Sequence, residues 1–242
     1  MKFLAFICVI LVSGIVAGTI QGIANFVLVE PVLDRAISLE NMALFDSGDV
    51  QNTVEFRLEH EAYRTWQKGG QIIASAILGM SFGSLFGLIY AYVKKSLPSS
   101  DTIKKSLILA AIMWLVLFAI PFVKYPSNPP TVGDPATVGE RTMFYLGLIT
   151  VSGLLMLGTC YILKFLHGNK KFLALAGCAC IMGVTLILFP EPADTTNVPK
   201  DLLYDFRLAS AISVTSFWIT IPFVLGGLWR KFIPDVRDDF IE

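Results

Sequence analysis

Residues 106–123 read Ser-Leu-Ile-Leu-Ala-Ala-Ile-Met-Trp-Leu-Val-Leu-Phe-Ala-Ile-Pro-Phe-Val, without a charged side chain. As a helix rising ~1.5 Å per residue the stretch is about 27 Å long, close to the ~30 Å hydrocarbon core of a bilayer. After Lys124 comes Tyr125-Pro126-Ser127-Asn128-Pro129-Pro130-Thr131-Val132-Gly133-Asp134-Pro135-Ala136-Thr137-Val138-Gly139-Glu140-Arg141. Pro126, Pro129 and Pro130 have no amide donor and a fixed φ, so neither a helix nor a central strand runs through them. Each also pushes the residue before it to extended backbone. A second charge-free run, 143–163, follows. A rigid polar loop thus sits between two stretches long enough to cross a membrane.

The pattern extends along the chain. Blocks 3–29, 70–93, 106–123, 143–163, 172–189 and 208–229 contain no Asp, Glu, Lys, Arg or His. The 242 residues are 55% hydrophobic and 16% charged, against roughly 25% charged in soluble domains; the mean hydropathy is +0.67. The expected fold is all-α: a polytopic membrane helical bundle of six transmembrane helices, forming one integral membrane domain over 1–242. The outer loops would be 30–69, 124–142 and 190–207. Block 3–29 is longer than the ~7–15-residue apolar core of a signal peptide, so it is read as a span; cleavage would leave five. The formal net charge is zero, and no nucleic-acid partner is expected.

Lys94, Lys95, Lys104 and Lys105 fill the second connection, and Lys164, Lys170 and Lys171 the fourth. Lys2 precedes the first block, and Arg230 and Lys231 follow the last. Basic connections favour the cytoplasmic side. Both termini are therefore expected inside a plasma membrane, with the first, third and fifth connections outside. The first is acidic: Glu30, Asp34, Glu40, Asp46, Asp49, Glu55, Glu59 and Glu61 outnumber Arg35, Arg57, Arg64 and Lys68.

Gly14, Gly18 and Gly22 recur every fourth residue in the first block, as do Gly79, Gly83 and Gly87 in the second. Small residues at this spacing let helices approach closely, so these two helices are expected to pack together. Gln21 and Asn25 are expected to hydrogen-bond to neighbouring helices. After Pro31, the spacing of Leu33, Ala36 and Ile37 predicts a short amphipathic helix lying on the outer surface. Asp46 to Asp49 reads as a turn. Residues 55–64 read as a charged helix leading into the second span, with Glu61 and Arg64 paired at i, i+3. Ser100-Asp101 reads as an N-cap. Asp134-Pro135 and the Thr137…Glu140 spacing read as the start of a helix closed by a capping box, with Arg141 paired to Asp134 or Glu140.

Glu59-His60-Glu61 invites a metal reading, because imidazole with carboxylates suits Co, Ni or Zn. Consecutive helical residues point about 100° apart, so the three cannot all face one ion from a regular helix. A solvated, salt-bridged helix and a metal-capturing site both fit the letters. The candidate metal residues are these three with Glu30, Asp134 and Asp194 of the same outer connections.

No catalytic constellation emerges. Gly79-Met80-Ser81-Phe82-Gly83 has the letters of a nucleophile elbow, but it lies within a span rather than on a strand-to-helix turn. Cys178 and Cys180, two apart on a helix, point about 200° apart and do not chelate zinc together. Neither these nor Cys8 and Cys160 lie in an outer loop, so no disulfide framework is expected. The fifth connection, Pro190 to Pro199 with Asp201, Asp205 and Arg207 after it, echoes the third in its order of Pro, Asp and Arg. Diverged repetition and convergent use of proline at helix entrances both explain this.

Pro126-x-Asn128-Pro129-Pro130-x-Val132-Gly133-Asp134-Pro135-x-Thr137, with Arg141 and Tyr145 beyond it, resembles the CbtA cobalt transporter subunit family in its archaeal-type branch. The glycine-rich first helix ending at Glu30-Pro31, and Pro190 to Pro199 with Phe206-Arg207, extend the resemblance over almost the whole chain. Tyr125, Pro126, Asn128, Pro129, Pro130, Gly133, Asp134, Arg141 and Arg207 carry the motif. The resemblance implies a membrane subunit for cobalt uptake, connected with cobalamin biosynthesis and paired with a small CbtB-like membrane subunit. Co²⁺ or Ni²⁺ would be the substrate, with no permanently bound cofactor. A His-rich first outer loop is common in the family; here only Glu59-His60-Glu61 stands in its place. The expected function is ion capture at the outer loops of a non-enzymatic transporter subunit, alone or as a homo-oligomer. The alternative is a structural or assembly subunit of a larger membrane complex.

Overall fold

The computed structural model describes residues 2–130, 132–133, 135–191 and 198–233. Among these there is no strand. The elements are α1 (Lys2–Ala24), a π-helical turn (Asn25–Val29), α2 (Glu30–Ser47), α3 (Val54–Val93), α4 (Thr102–Trp114), a second π turn (Leu115–Ala119) and α5 (Ile120–Lys124). A 3-10 turn (Pro135–Thr137), α6 (Val138–Leu163), α7 (Asn169–Leu188) and α8 (Lys200–Phe232) complete the order. Six helical stretches are long and apolar enough to cross a membrane: Phe3–Ser47, Val54–Val93, Thr102–Lys124, Val138–Leu163, Asn169–Leu188 and Lys200–Phe232. Each charge-free block falls within one of them, the fifth overrunning α7 by the single residue Phe189.

The main chain clusters into two compact units, 1–111 with 204–242, and 112–203. In the first, α1 and α3 lie against each other through the glycines. A Cβ added to Gly14 would stand 2.3 Å from the Gly79 carbonyl oxygen, and one on Gly18 2.3 Å from that of Ser75. One on Gly83 would stand 2.4 Å from the Gly14 Cα. No side chain fits there, so the expected pairing of these two helices is formed, backbone on backbone. Phe86, Tyr90, Ile221, Leu225 and Trp229 fill the core beside this seam. The α4 and α8 helices join where Ser106, fully buried, donates its hydroxyl to the Pro222 carbonyl at 2.8 Å.

The short surface helix expected after Pro31 is not separate. α1, the π turn and α2 run on as one helix, whose stretch Phe3–Ser47 has 45 residues and is about 67 Å long, roughly twice the hydrocarbon thickness. Pro31 lacks the N–H that would serve the carbonyl four residues back and crowds that carbonyl. The wider π turn ending two residues earlier absorbs the defect, so the helix continues instead of breaking. The same arrangement recurs in the third span, where the Leu115–Ala119 π turn ends two residues before Pro121. α3, at 40 residues, likewise outruns the bilayer. The first connection is therefore a helical hairpin that prolongs two spans, turning over Gly48 to Thr53.

Other local readings are mixed. Thr53 Oγ1 accepts the Phe56 amide at 3.1 Å and starts α3. Asp101 Oδ1 accepts the Lys104 amide at 2.8 Å at the start of α4, as expected. α6 begins at Val138 as expected, but through a 3-10 turn and with no capping bond from the Thr137 side chain. Thr137 has φ −94° and ψ 0°, not the extended backbone of a capping residue. Gln21 meets α8 through its backbone carbonyl, which accepts from Ser213 Oγ at 3.2 Å, rather than through its amide. The cysteines are free.

In the second unit Ile120, Leu148 and Met182 form the buried centre, with Tyr125, Leu155, Leu186 and Phe189 around it. Two buried carbonyls in the π turn need donors. The Ile120 amide goes to Leu115, and the next residue is Pro121, so the Val116 carbonyl has no helical partner. The Ser152 hydroxyl shares its one proton between this carbonyl at 3.3 Å and the Ile149 carbonyl of its own helix at 3.0 Å. Tyr145 Oη reaches the Leu117 carbonyl at 3.5 Å, the acceptor that Pro121 would have served. In lipid, unpaired backbone groups are costly, and hydroxyls from neighbouring helices are the usual remedy.

Candidate functional site: the first hairpin and the proline loop

Glu30 and Asp34 lie one turn apart on α2; Arg64 and Lys68 lie one turn apart on α3. The structure brings the four together. Arg64 Nη2 donates to Glu30 Oε2 at 2.5 Å and to Asp34 Oδ1 at 2.9 Å, and Lys68 Nζ reaches Asp34 Oδ2 at 2.5 Å. Arg64 Nη1 donates to Gln67 Oε1 at 2.8 Å. Arg64 and Glu30 are nearly buried, at 11% and 9% side-chain exposure. Arg64 thus pairs across the hairpin, not with Glu61 as the sequence spacing suggested. The i, i+3 contact would leave Arg64 in solvent, whereas two carboxylates on α2 meet it desolvated. The sequence carries two stacked like-charge pairs of opposite sign, but not the register that sets one against the other.

Tyr63 and Trp66 stack at 6.0 Å and are exposed, where the charged part of α3 meets the apolar part. Tyr92 is exposed at the other end. Trp66 and Tyr92 are about 39 Å apart along the helix, matching the ~40–45 Å between the two interfaces, where Trp and Tyr collect. The ion-pair cluster is level with the first of these boundaries.

Beyond that boundary, Glu59 and Glu61 are exposed and His60 is half-buried. The His60 ring stacks on Phe56 at 5.8 Å, and its Nε2 lies 3.5 Å from Asn41 Nδ2 of α2. The contact sets the Asn41 amide nitrogen against Nε2, and the ring's tautomer decides which of the two nitrogens donates. Glu30 is committed to Arg64 and is not beside His60. Asp134 and Asp194 lie outside the described residues, as do the expectations placed on them. Among the described residues no three His, Cys, Asp or Glu side chains are gathered as a metal-binding group.

In the second unit the proline loop is held at its first end. Lys124 Nζ pairs with Glu191 Oε1 at 2.5 Å, and Tyr125 Oη donates to the Pro190 carbonyl at 2.8 Å. The third and fifth connections therefore meet. Burial, with the Glu191 carboxylate nearby, pushes the Tyr125 phenol above its ordinary value and keeps it a donor. Pro129 is fully buried and Gly133 takes a φ of +94°, a conformation open to glycine. Between this loop and the start of α6 lies a cavity of about 410 Å³, lined among others by Tyr125, Asn128, Pro129, Arg141, Thr142 and Tyr145. Pro126 and Pro130 also line it. Arg207 is apart from it in sequence, half-buried in α8. Most of the motif residues thus surround one cavity, which spacing alone did not reveal.

Six bilayer-length helices with apolar side chains turned outward, such as Ile73 and Ile77 on α3 and Ile187 on α7, define a polytopic helical membrane protein. A family model described as probable cobalt transporter subunit (CbtA) matches residues 3–230, and the chain belongs to that family. No curated protein matches it, and no solved structure does.

Proposed function

We propose that this chain is the membrane-embedded subunit of a cobalt uptake transporter and that it captures the ion at the end bearing its first, third and fifth connections. The family match over all six spans is the observation that carries this reading. The Lys and Arg distribution supports an arrangement with that end outside the plasma membrane and both termini in the cytoplasm. His60, oriented by Asn41 and Phe56 and flanked by Glu59 and Glu61, is the capture group; Co²⁺ or Ni²⁺ is the cargo.

A bare dication in hydrocarbon is prohibitively costly without ligands, and the charge-free blocks offer no carboxylate. Passage therefore draws on ligands from a small CbtB-like partner, or takes the ion partly hydrated through an oligomeric pore. No catalytic role is assigned. The test is cobalt accumulation by cells lacking the gene. The wild-type gene should restore it and a His60→Ala gene should restore it poorly. Failure of the wild-type gene together with its partner to raise accumulation would overturn the reading.

A further inference from the structure

Four helix ends of the first unit converge opposite the hairpin. Trp229 near the end of α8 is buried, with its ring 5.8 Å from Phe6 of α1 and 5.0 Å from Tyr90 of α3. Lys94 Nζ stands 5.1 Å above that ring. Tyr90 Oη donates to the Thr102 carbonyl at 3.3 Å, bringing in the first turn of α4. A Cβ on Gly226 would stand 3.1 Å from the Ile103 Cα, so α4 also abuts α8. The sequence places Lys94, Lys95, Lys104, Lys105, Arg230 and Lys231 within one or two turns of these contacts.

Lys94 and Lys95 just after α3, and Arg230 and Lys231 in the last turn of α8, suit the negative poles of those helices. Lys104 and Lys105 do not have that explanation. They sit in the first turn of α4, where the helix dipole disfavours cations, with the single Asp101 carboxylate nearby, whose Oδ1 accepts the Lys104 amide. Lys95, Lys104, Arg230 and Lys231 are exposed. Like charges gathered this way repel one another unless an anionic surface faces them. We propose that this end of the first unit binds the phosphate headgroups of anionic lipids in the leaflet it meets, so that the protein prefers anionic over zwitterionic bilayers.

The test uses the full chain purified and reconstituted in nanodiscs of phosphatidylcholine with increasing phosphatidylglycerol, with lipid retention read by native mass spectrometry. Retention of phosphatidylglycerol over phosphatidylcholine is expected. Replacing Lys104, Lys105, Arg230 and Lys231 by Gln should weaken the preference on the order of tenfold. Replacing Lys164, Lys170 and Lys171 of the other basic connection by Gln should leave it intact. Millimolar inorganic phosphate should not displace the lipid. Equal retention of the two lipids, an undiminished preference in the four-fold variant, or an equal loss in the control variant would each overturn the proposal. So would a preference that appears only after removal of residues 234–242, because the acids of that tail would then be the true counter-charge. A thermal melt of each variant identifies one that fails to fold; single Lys104→Gln and Lys105→Gln variants then carry the test.

Discussion

Arg64 of α3 holds Glu30 of α2 by a 2.5 Å charge-assisted hydrogen bond, across 34 residues of sequence, with both side chains nearly buried. The bond joins the two long helices where the apolar parts of both give way to charged ones. A buried pair is a poor source of net stability against an apolar substitute, yet breaking it on one side is costly.

Arg64→Gln should therefore destabilise the protein by about 3–5 kcal/mol, since Glu30 would be left buried without its counter-charge. Glu30→Gln should cost a similar amount, and the double variant clearly less than the sum. Arg35→Gln, which removes the exposed 3.6 Å pair with Asp205, should change stability by no more than about 1 kcal/mol. Thermal melts in detergent give the order; equal effects of Arg64→Gln and Arg35→Gln would rule out the buried network.

Gly14→Val and Gly79→Val should disrupt the α1–α3 seam. Their side chains would occupy space now filled by the other helix's backbone, and backbone cannot rotate aside. The expected loss is at least about 1–3 kcal/mol, with reduced yield of folded protein. Gly158→Val and Gly183→Val, which meet nothing within 4 Å, should be close to neutral by comparison. The check is a thermal melt of the four variants side by side.

Ser152→Ala removes the donor to the Val116 carbonyl and should cost about 0.5–1.5 kcal/mol. In a Pro121→Ala background, residue 121 regains an amide and the π turn can revert to α-helix. There Ser152→Ala should cost less. A double-mutant cycle measures the difference, and strict additivity would show that the hydroxyl does not serve the proline defect.

On the proposed capture role, Co²⁺ binding by the purified protein should weaken roughly 10-fold or more when His60 becomes Ala. It should also weaken when Asn41, which orients the ring, becomes Ala. Glu59→Gln should weaken it too. Glu30→Gln should lower stability while leaving affinity unchanged, because Glu30 faces Arg64 and not the His60 ring. Calorimetry separates the two, and an affinity loss in Glu30→Gln matching that in His60→Ala would refute the division of roles.

The six spans, the helix start at Asp101, and the Gly14–Gly79 seam were all legible from residue order. Each depends on a run of apolar residues, a cap or a four-residue spacing, which are properties of a few neighbouring positions. The surroundings of the His60 ring were not legible, because its neighbours, Asn41 and Phe56, come from both arms of the hairpin. That Pro31 lets the helix run on could not be seen either: a proline ends a helix unless a wider turn before it takes up the clash. Tertiary structure alone decided that Arg64 answers Glu30 and Asp34 and that Tyr125 reaches Pro190. Such pairings depend on how one helix or loop is registered against another, and that register is set by packing far from the charges themselves.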